Sequence, residues 1–207
     1  MTVYLYLLNT LADWEIGYLT AELFSKRYFA DKSMACELVK VADTLDPITT
    51  MGGMMLTPDQ RLDSMQFKEG DLLVLPGGDL WMAPETDAVL ARAKDLIDKG
   101  FNVAAICGAT MGLARVGALD AKNHTSNDLG YLKIVCPTYM GEANYIDEPA
   151  VSDGNLVTAT GLAPLEFAHE VLKLLKVFKP ETLDAWYSLN STKQPRYFHE
   201  LMNSLSA

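Results

Sequence analysis

Val103-Ala104-Ala105-Ile106 is a continuous apolar run that stops at Cys107-Gly108, where helical spacing begins at once. A run this short and uniformly apolar reads as a central parallel strand covered on both faces. Gly108 permits a tight strand-to-helix corner that pushes the Cys107 side chain outward, the arrangement that makes a nucleophile accessible. The sulfur then lies over a helix N-terminus, whose dipole favours the thiolate, the reactive form of cysteine.

The same alternation organises most of the chain. Val3 to Leu8 is a β-rich run, and Glu15 to Phe24 has helical spacing. Cys36 to Val41 reads as a second strand, and Ile48 to Leu56, with Gly52-Gly53 inside it, as a hairpin-like excursion. Asp71 to Leu75 is a buried strand ending in Pro76-Gly77-Gly78, and Asp87 to Lys99 is an amphipathic helix closed by Gly100. Asn102 to Ile106 delivers Cys107, a helix follows over Thr110 to Val116, and Asp120 to Asp128 is a polar loop. Val151 to Thr158 has the pattern of a hairpin turning at Asp153-Gly154, and Pro164 opens a helix expected to run through Phe178. Pro180 breaks that run before a tail of short helices carrying Trp186, Tyr187, Tyr197 and Phe198. Alternating β and α units predict an α/β fold with a doubly wound, mostly parallel sheet and helices on both faces. Residues 1–207 are expected to form one domain with a helical C-terminal extension from about residue 180.

Charge and cysteine usage narrow the function classes. Seventeen Lys and Arg against 27 Asp and Glu give a net charge of −10, which repels phosphate backbones and argues against nucleic acid or an anionic membrane as partner. The opening segment lacks a basic flank and breaks at Asn9, so it reads as a strand rather than a signal peptide, and no apolar run reaches spanning length. Cys36, Cys107 and Cys136 are odd in number and widely spaced, which suits reduced thiols in a cytoplasmic protein and offers no zinc-type pairing. No metal or organic cofactor is expected. Cys36 and Cys136 are assigned to structure.

In a doubly wound sheet, ligands bind beyond the carboxyl ends of the strands. Three segments fall there: Asn9 to Glu15, Pro76-Gly77-Gly78 and Cys107-Gly108. Backbone amides of Gly77, Gly78 and Gly108 are candidates for an oxyanion pocket around the sulfur. A carboxyl group at Glu15, buried beside a thiol, would have its pKa raised, stay protonated and donate a hydrogen bond to a thiolate or shuttle a proton. His124, in the loop after Cys107, has the pKa of a base or ion-pair partner; residues alone leave open whether it serves the thiol or faces solvent. His169 and His199 receive no catalytic assignment.

These residues jointly carry a resemblance. Asp13-Trp14-Glu15, Leu75-Pro76-Gly77-Gly78, Ala105-Ile106-Cys107-Gly108-Ala109-Thr110, and Asp153 to Gly161 leading to Glu166-Phe167-Ala168 resemble the ThiJ/PfpI family of the class I glutamine amidotransferase-like superfamily, nearly end to end. The resemblance implies a flavodoxin-like sandwich, a homodimer, Cys107 as reactive thiol, Glu15 as the acid that meets it, and a site histidine downstream of the cysteine. It also implies action on small reactive carbonyls, of glyoxalase or deglycase type, with an electrophile or aldehyde adduct as the bound partner. Members described as peptidases carry histidine immediately after the cysteine, where this chain has Gly108, so peptidase activity is disfavoured. Glutaminase activity is disfavoured too, because His169-Glu170 are adjacent where a His-x-Glu pair is needed. Amide or isonitrile hydration are further options. A non-enzymatic alternative makes Cys107 an oxidation sensor, its sulfinate stabilised by Glu15, in a stress chaperone.

Overall fold

The computed structural model describes residues 1–206, and its framework is a seven-stranded sheet. The sheet contains β1 (Thr2–Tyr6), β2 (Glu37–Ala42), β5 (Gln60–Arg61), β6 (Leu72–Leu75), β7 (Asn102–Ile106), β8 (Ala150–Asp153) and β9 (Leu156–Ala159). Their spatial order is β5-β2-β1-β6-β7-β9-β8, parallel except for the edge pair β8–β9. Every residue of β6 and β9 is buried, as is β7 after Asn102, which explains the uninterrupted apolar runs of β6 and β7; the one polar residue of β9, Thr158, accepts from the Thr125 N–H at 2.9 Å. β3 (Ile48–Thr49) and β4 (Met55–Leu56) form the small separate hairpin expected around Gly52-Gly53.

Helices cover both faces. α1 (Asp13–Ser25) packs against α5 (Pro164–Leu175), α5 against α6 (Pro180–Thr192), and α6 against α7 (Pro195–Ser204). α2 (Asp87–Asp98) and α3 (Gly108–Arg115) pack on β7 and on each other, and α4 (Leu129–Val135) adjoins α3. The C-terminal helices are anchored by fully buried Trp186 and Leu201 and by a Thr182 hydroxyl donating to the Ser204 oxygen at 2.9 Å. Among the described residues, no helix is long and apolar enough to cross a membrane.

Three local expectations need correction. α5 stops at Leu175 rather than Phe178, because Lys176 turns into the left-handed region (φ 52°) and ends the helix. Pro180 does more than break a run: it occupies the first turn of α6, where its missing N–H costs nothing. The β8–β9 turn is centred on Gly154-Asn155, with Asp153 already paired to Leu156 and Gly154 at φ 61°.

The chain leaves β1 for β2 on one side and returns to β6 on the other. β1 and β6 therefore straddle the point where winding reverses, and their carboxyl ends open a crevice there. β7 and β9 extend the same edge, and the functional residues gather along it.

Candidate active site

Cys107 sits at the corner between β7 and α3 with φ 59° and ψ −123°, a conformation that L side chains rarely adopt. Such a backbone costs about 1–3 kcal/mol and persists only where surrounding bonds over-determine it. Here they do. The Cys107 N–H donates to the Ala159 carbonyl at 3.0 Å, and the Cys107 carbonyl accepts from the Thr110 N–H at 3.1 Å and the Thr110 hydroxyl at 2.7 Å.

Glu15 reaches the sulfur from the first turn of α1 and is fully buried. Its Oε2 accepts from the Gly77 N–H at 2.7 Å, while Oε1 has no hydrogen-bond partner. The position of Gly161, just after β9, locates that free oxygen. A Cβ built there would stand 2.7 Å from Cys107 Sγ and 3.1 Å from Glu15 Oε1, so sulfur and carboxyl oxygen flank the same spot. A Cβ at Gly77 would overlap the Glu15 carboxyl, and one at Gly108 would lie 2.7 Å from the Gly78 carbonyl. These glycines allow the carboxyl and thiol to approach the loop backbones closely.

Both acids are pushed up from their ordinary values. Burial raises Glu15, and the neighbouring thiol and the Gly77 amide offset part of that rise. Burial also raises Cys107, opposed by a hydrogen bond from Asn127, with the Glu15 charge adding to the rise and the Gly108 amide lowering it. The helix N-terminus alone favours a thiol below its usual value; desolvation outweighs it. Because the charge of Glu15 acts on the thiol only while the carboxyl is ionised, the two titrate as a coupled pair.

The glycine amides divide. The Gly77 N–H is committed to Glu15, and Gly77 does not line the cleft above the sulfur, so it does not serve as the expected oxyanion donor. Gly78 and Gly108 both line that cleft. His124 is fully buried rather than solvent-facing, and it is turned away from the thiol. One ring nitrogen bonds the Tyr139 hydroxyl at 2.6 Å, the other the Lys122 carbonyl at 2.7 Å, and burial pushes its pKa down. It braces the loop, pairing through its backbone with the segment around Tyr145.

The side chain that loop offers to sulfur is Asn127, whose Nδ2 donates to Cys107 Sγ at 3.4 Å. Its Oδ1 accepts from the Gly161 N–H at 2.9 Å and the Thr160 hydroxyl at 3.3 Å, which fixes the amide with its NH2 toward the thiol. The preceding Ser126 hydroxyl bonds that of Thr110 at 2.7 Å, tying the loop to α3. Sequence reasoning passed over Asn127 because it looked for a titratable group; the only signal was proximity to His124 in the same polar loop. Among the described residues, no cluster of three or more His, Cys, Asp or Glu is arranged to hold a metal ion.

A cysteine at a strand-helix elbow, beside a buried glutamate at the switch point of a parallel sheet, places the chain in a class of flavodoxin-like α/β proteins. This chain belongs to the DJ-1/PfpI family, whose model matches residues 1–174. It is 51% identical over 204 residues to the uncharacterized protease YoaZ of Bacillus subtilis (strain 168), covering 99% of this chain and 97% of that protein. It is 31% identical over 134 residues to the deglycase PH1704 of Pyrococcus horikoshii, covering 62% of this chain and 76% of that protein. The crystal structure of the thiJ/pfpI family protein from Bacillus anthracis superposes with a TM-score of 0.97 at 49% identity, covering 100% of this chain and 99% of that one.

Proposed function

We propose that the protein is a cofactor-independent enzyme that converts small 2-oxoaldehydes to 2-hydroxy acids, with Cys107 as nucleophile and Glu15 as proton carrier. The observation that carries this reading is the buried Glu15 carboxyl, one oxygen free and directed toward Cys107. A buried polar atom without a partner costs free energy, and such atoms mark places where a ligand or a proton completes the bonding.

With the proton of the pair on Glu15, Cys107 attacks the aldehyde carbon as thiolate; a C–S bond forms, and the carbonyl π pair moves to oxygen, which takes the proton from Glu15. Amides of Gly78 and Gly108 stabilise the developing charge. Glu15, now ionised, removes the proton from the former aldehyde carbon to give an enediolate; the hydroxyl proton of that carbon passes to the neighbouring oxygen, and Glu15 returns its proton to the neighbouring carbon. The first carbon is thereby oxidised to a thioester and the second reduced to an alcohol, with no external oxidant. Water cleaves the thioester, releasing the 2-hydroxy acid and restoring the thiol. Asn127 stays neutral throughout and supports the sulfur as a hydrogen-bond donor.

Deglycation of early aldehyde adducts uses the same opening attack, and the 31% identity to a deglycase supports it as a variant of the reading. Peptide hydrolysis, suggested by the name of the YoaZ relative, finds less support: Gly108 follows the cysteine, and both ring nitrogens of His124 are engaged elsewhere. A sensor reading draws on the same free Oε1, since a protonated Glu15 could donate to a sulfinate oxygen.

The test is methylglyoxal consumption with lactate formation by fully reduced protein, for wild type, Cys107→Ser and Glu15→Gln. The expected outcome is turnover by wild type and its loss in both variants. A reduced wild type without turnover leaves the sensor reading in place of the enzyme.

A further inference from the structure

The cleft above Cys107 has a volume of about 570 Å³, a size that suits a ligand larger than a three-carbon aldehyde. Its walls converge from separate parts of the chain. Trp14 comes from α1, Met51 from the β3–β4 hairpin, Met82 from the loop after β6, Met111 from α3, and Tyr131 and Val135 from α4. Met51 is held in place by its N–H donating to the Leu11 carbonyl at 2.9 Å, and the adjacent Gly52 N–H donates to Asp13 at 2.6 Å. The hairpin is thus docked on the loop that leads to Glu15. Trp14 and Met51 remain 55% and 45% exposed at the mouth, apolar surface that a bound ligand would cover.

The charges are one-sided. Glu15 and Asp79 are the carboxylic acids of the lining, and no Lys, Arg or His lies among the described lining residues. An anionic ligand would approach Asp79 and the acidic Cys107–Glu15 pair without a counter-charge, whereas an uncharged ligand with an aryl or branched alkyl group meets thioethers and aromatic rings that adapt to its shape.

We propose that this cleft selects uncharged electrophiles bearing an aryl or branched alkyl substituent and rejects anionic ones. The inference deepens the reading of Cys107 as a carbonyl nucleophile and rests on it for the identity of the reaction, which makes aryl-substituted 2-oxoaldehydes the preferred substrates.

Alkylation of Cys107 tests the selectivity without requiring turnover. Reduced protein is treated with iodoacetamide, N-benzyl iodoacetamide or iodoacetate; modification at Cys107 is followed by mass, and each rate is divided by that of 2-mercaptoethanol thiolate. The benzyl reagent should gain about tenfold over iodoacetamide and iodoacetate should lose about tenfold, the scale of one to two favourable or unfavourable contacts. Trp14→Ala and Met51→Ala should shrink the benzyl advantage, and Asp79→Asn should restore part of the iodoacetate rate. Normalised rates that are equal for the three reagents overturn the proposal. In parallel, kcat/KM for phenylglyoxal to mandelate should exceed that for methylglyoxal to lactate. Selective alkylation without turnover of either aldehyde would keep the selectivity and remove the 2-oxoaldehyde reaction; turnover with unselective alkylation would do the reverse.

Discussion

Glu15 and Glu22 lie two helical turns apart on the same buried face of α1, 0% and 2% exposed, yet they are treated in opposite ways. Glu22 is saturated. It takes two hydrogen bonds from the Arg27 guanidinium, the Nε one at 2.8 Å, and a third at 3.0 Å from the indole of Trp186, whose ring packs edge-on against Tyr18 and Phe178. Glu15 has one amide on one oxygen and a thiol facing the other. A buried carboxylate with its lone pairs satisfied fastens α6 to α1; one left partly unsatisfied has a pKa moved by burial and is free to exchange a proton. Burial alone therefore does not distinguish a structural acid from a reactive one. The count of partners does.

Exchanging each glutamate should separate the two jobs completely. Glu15→Gln should lower kcat/KM by about 10²- to 10⁴-fold, the usual contribution of a positioned proton carrier, with stability unchanged or raised because a desolvated carboxyl becomes a neutral amide. Glu22→Ala should do the opposite. It leaves the Trp186 N–H buried without an acceptor and opens a cavity, at a cost of about 3 kcal/mol in denaturant unfolding, while kcat/KM stays within about twofold because the site is not in contact with Glu22. The charge left on Arg27 is half exposed and can be solvated, so the loss is smaller than for a fully interior pair. Equal activity losses in the two variants would break the comparison.

The difference should also appear as pH dependence. The folded-state pKa of Glu15 lies above the ordinary 4.5, so between the unfolded and folded values the native protein holds a proton that the unfolded chain has released. Stability from this group is present below the unfolded value and is lost as pH rises through the folded value. Relative to Glu15→Gln, wild type should therefore lose stability on going from pH 4 toward neutrality, measured as the difference between denaturant midpoints. Glu170 works in the other sense: a hydrogen bond from His169, with further help from Ser152 and Lys173, pulls it down to about 2, and its contribution is lost only in acid. The difference between wild type and Glu15→Gln cancels it.

Gly161→Ala probes how closely the pair must approach. The added methyl carbon would stand 2.7 Å from Cys107 Sγ and 2.9 Å from its Cβ, so the thiol or the loop has to move. Displacing a nucleophile by a fraction of an ångström to one ångström costs about 10²-fold in rate. Fluorescence-monitored unfolding of this variant should change by about 1–2 kcal/mol, less than for Glu22→Ala.

Much of this was legible in the chain and some was not, for physical reasons. β6 and β7 are readable because a strand buried on both faces tolerates only apolar residues, and Cys107 is readable because a glycine after such a strand marks an abrupt corner. Its place after β1 made Glu15 a candidate, no better than an exposed first-turn acid, and the family resemblance singled it out. α4 escaped notice because Gly130 interrupts it and exposed Tyr131 and Ile134 blur its apolar face; Asp128, which accepts from the Tyr131 N–H at 2.6 Å, was its one start signal. The assignment of Gly77 as an oxyanion donor failed because an amide's partner is set in three dimensions, and Glu15, 62 residues away, takes it. His124 attracted attention through its titration range, whereas three residues later a neutral amide holds the sulfur.

That amide carries the smallest and most diagnostic prediction. Asn127→Ala removes the donor to Sγ and leaves the Gly161 N–H and Thr160 hydroxyl without their acceptor. A hydrogen bond to a charged group is worth about 1.5–3 kcal/mol, and part of it is recovered by water in a cleft open to solvent. The expected loss is about tenfold in kcat/KM, accompanied by an upward shift of the Cys107 thiol titration followed by the absorbance of the thiolate. Asn127→Asp keeps the acceptor for Gly161 and replaces the donor with a negative charge, so it should raise the thiol further and lose more activity than the alanine variant. If Asn127→Ala lowers activity while the thiol titration stays in place, the amide acts only by holding the loop after β9. The contrast between a residue bound to its neighbours and one reserved for the reacting atom would then apply to Glu15 and Glu22 but not to Asn127.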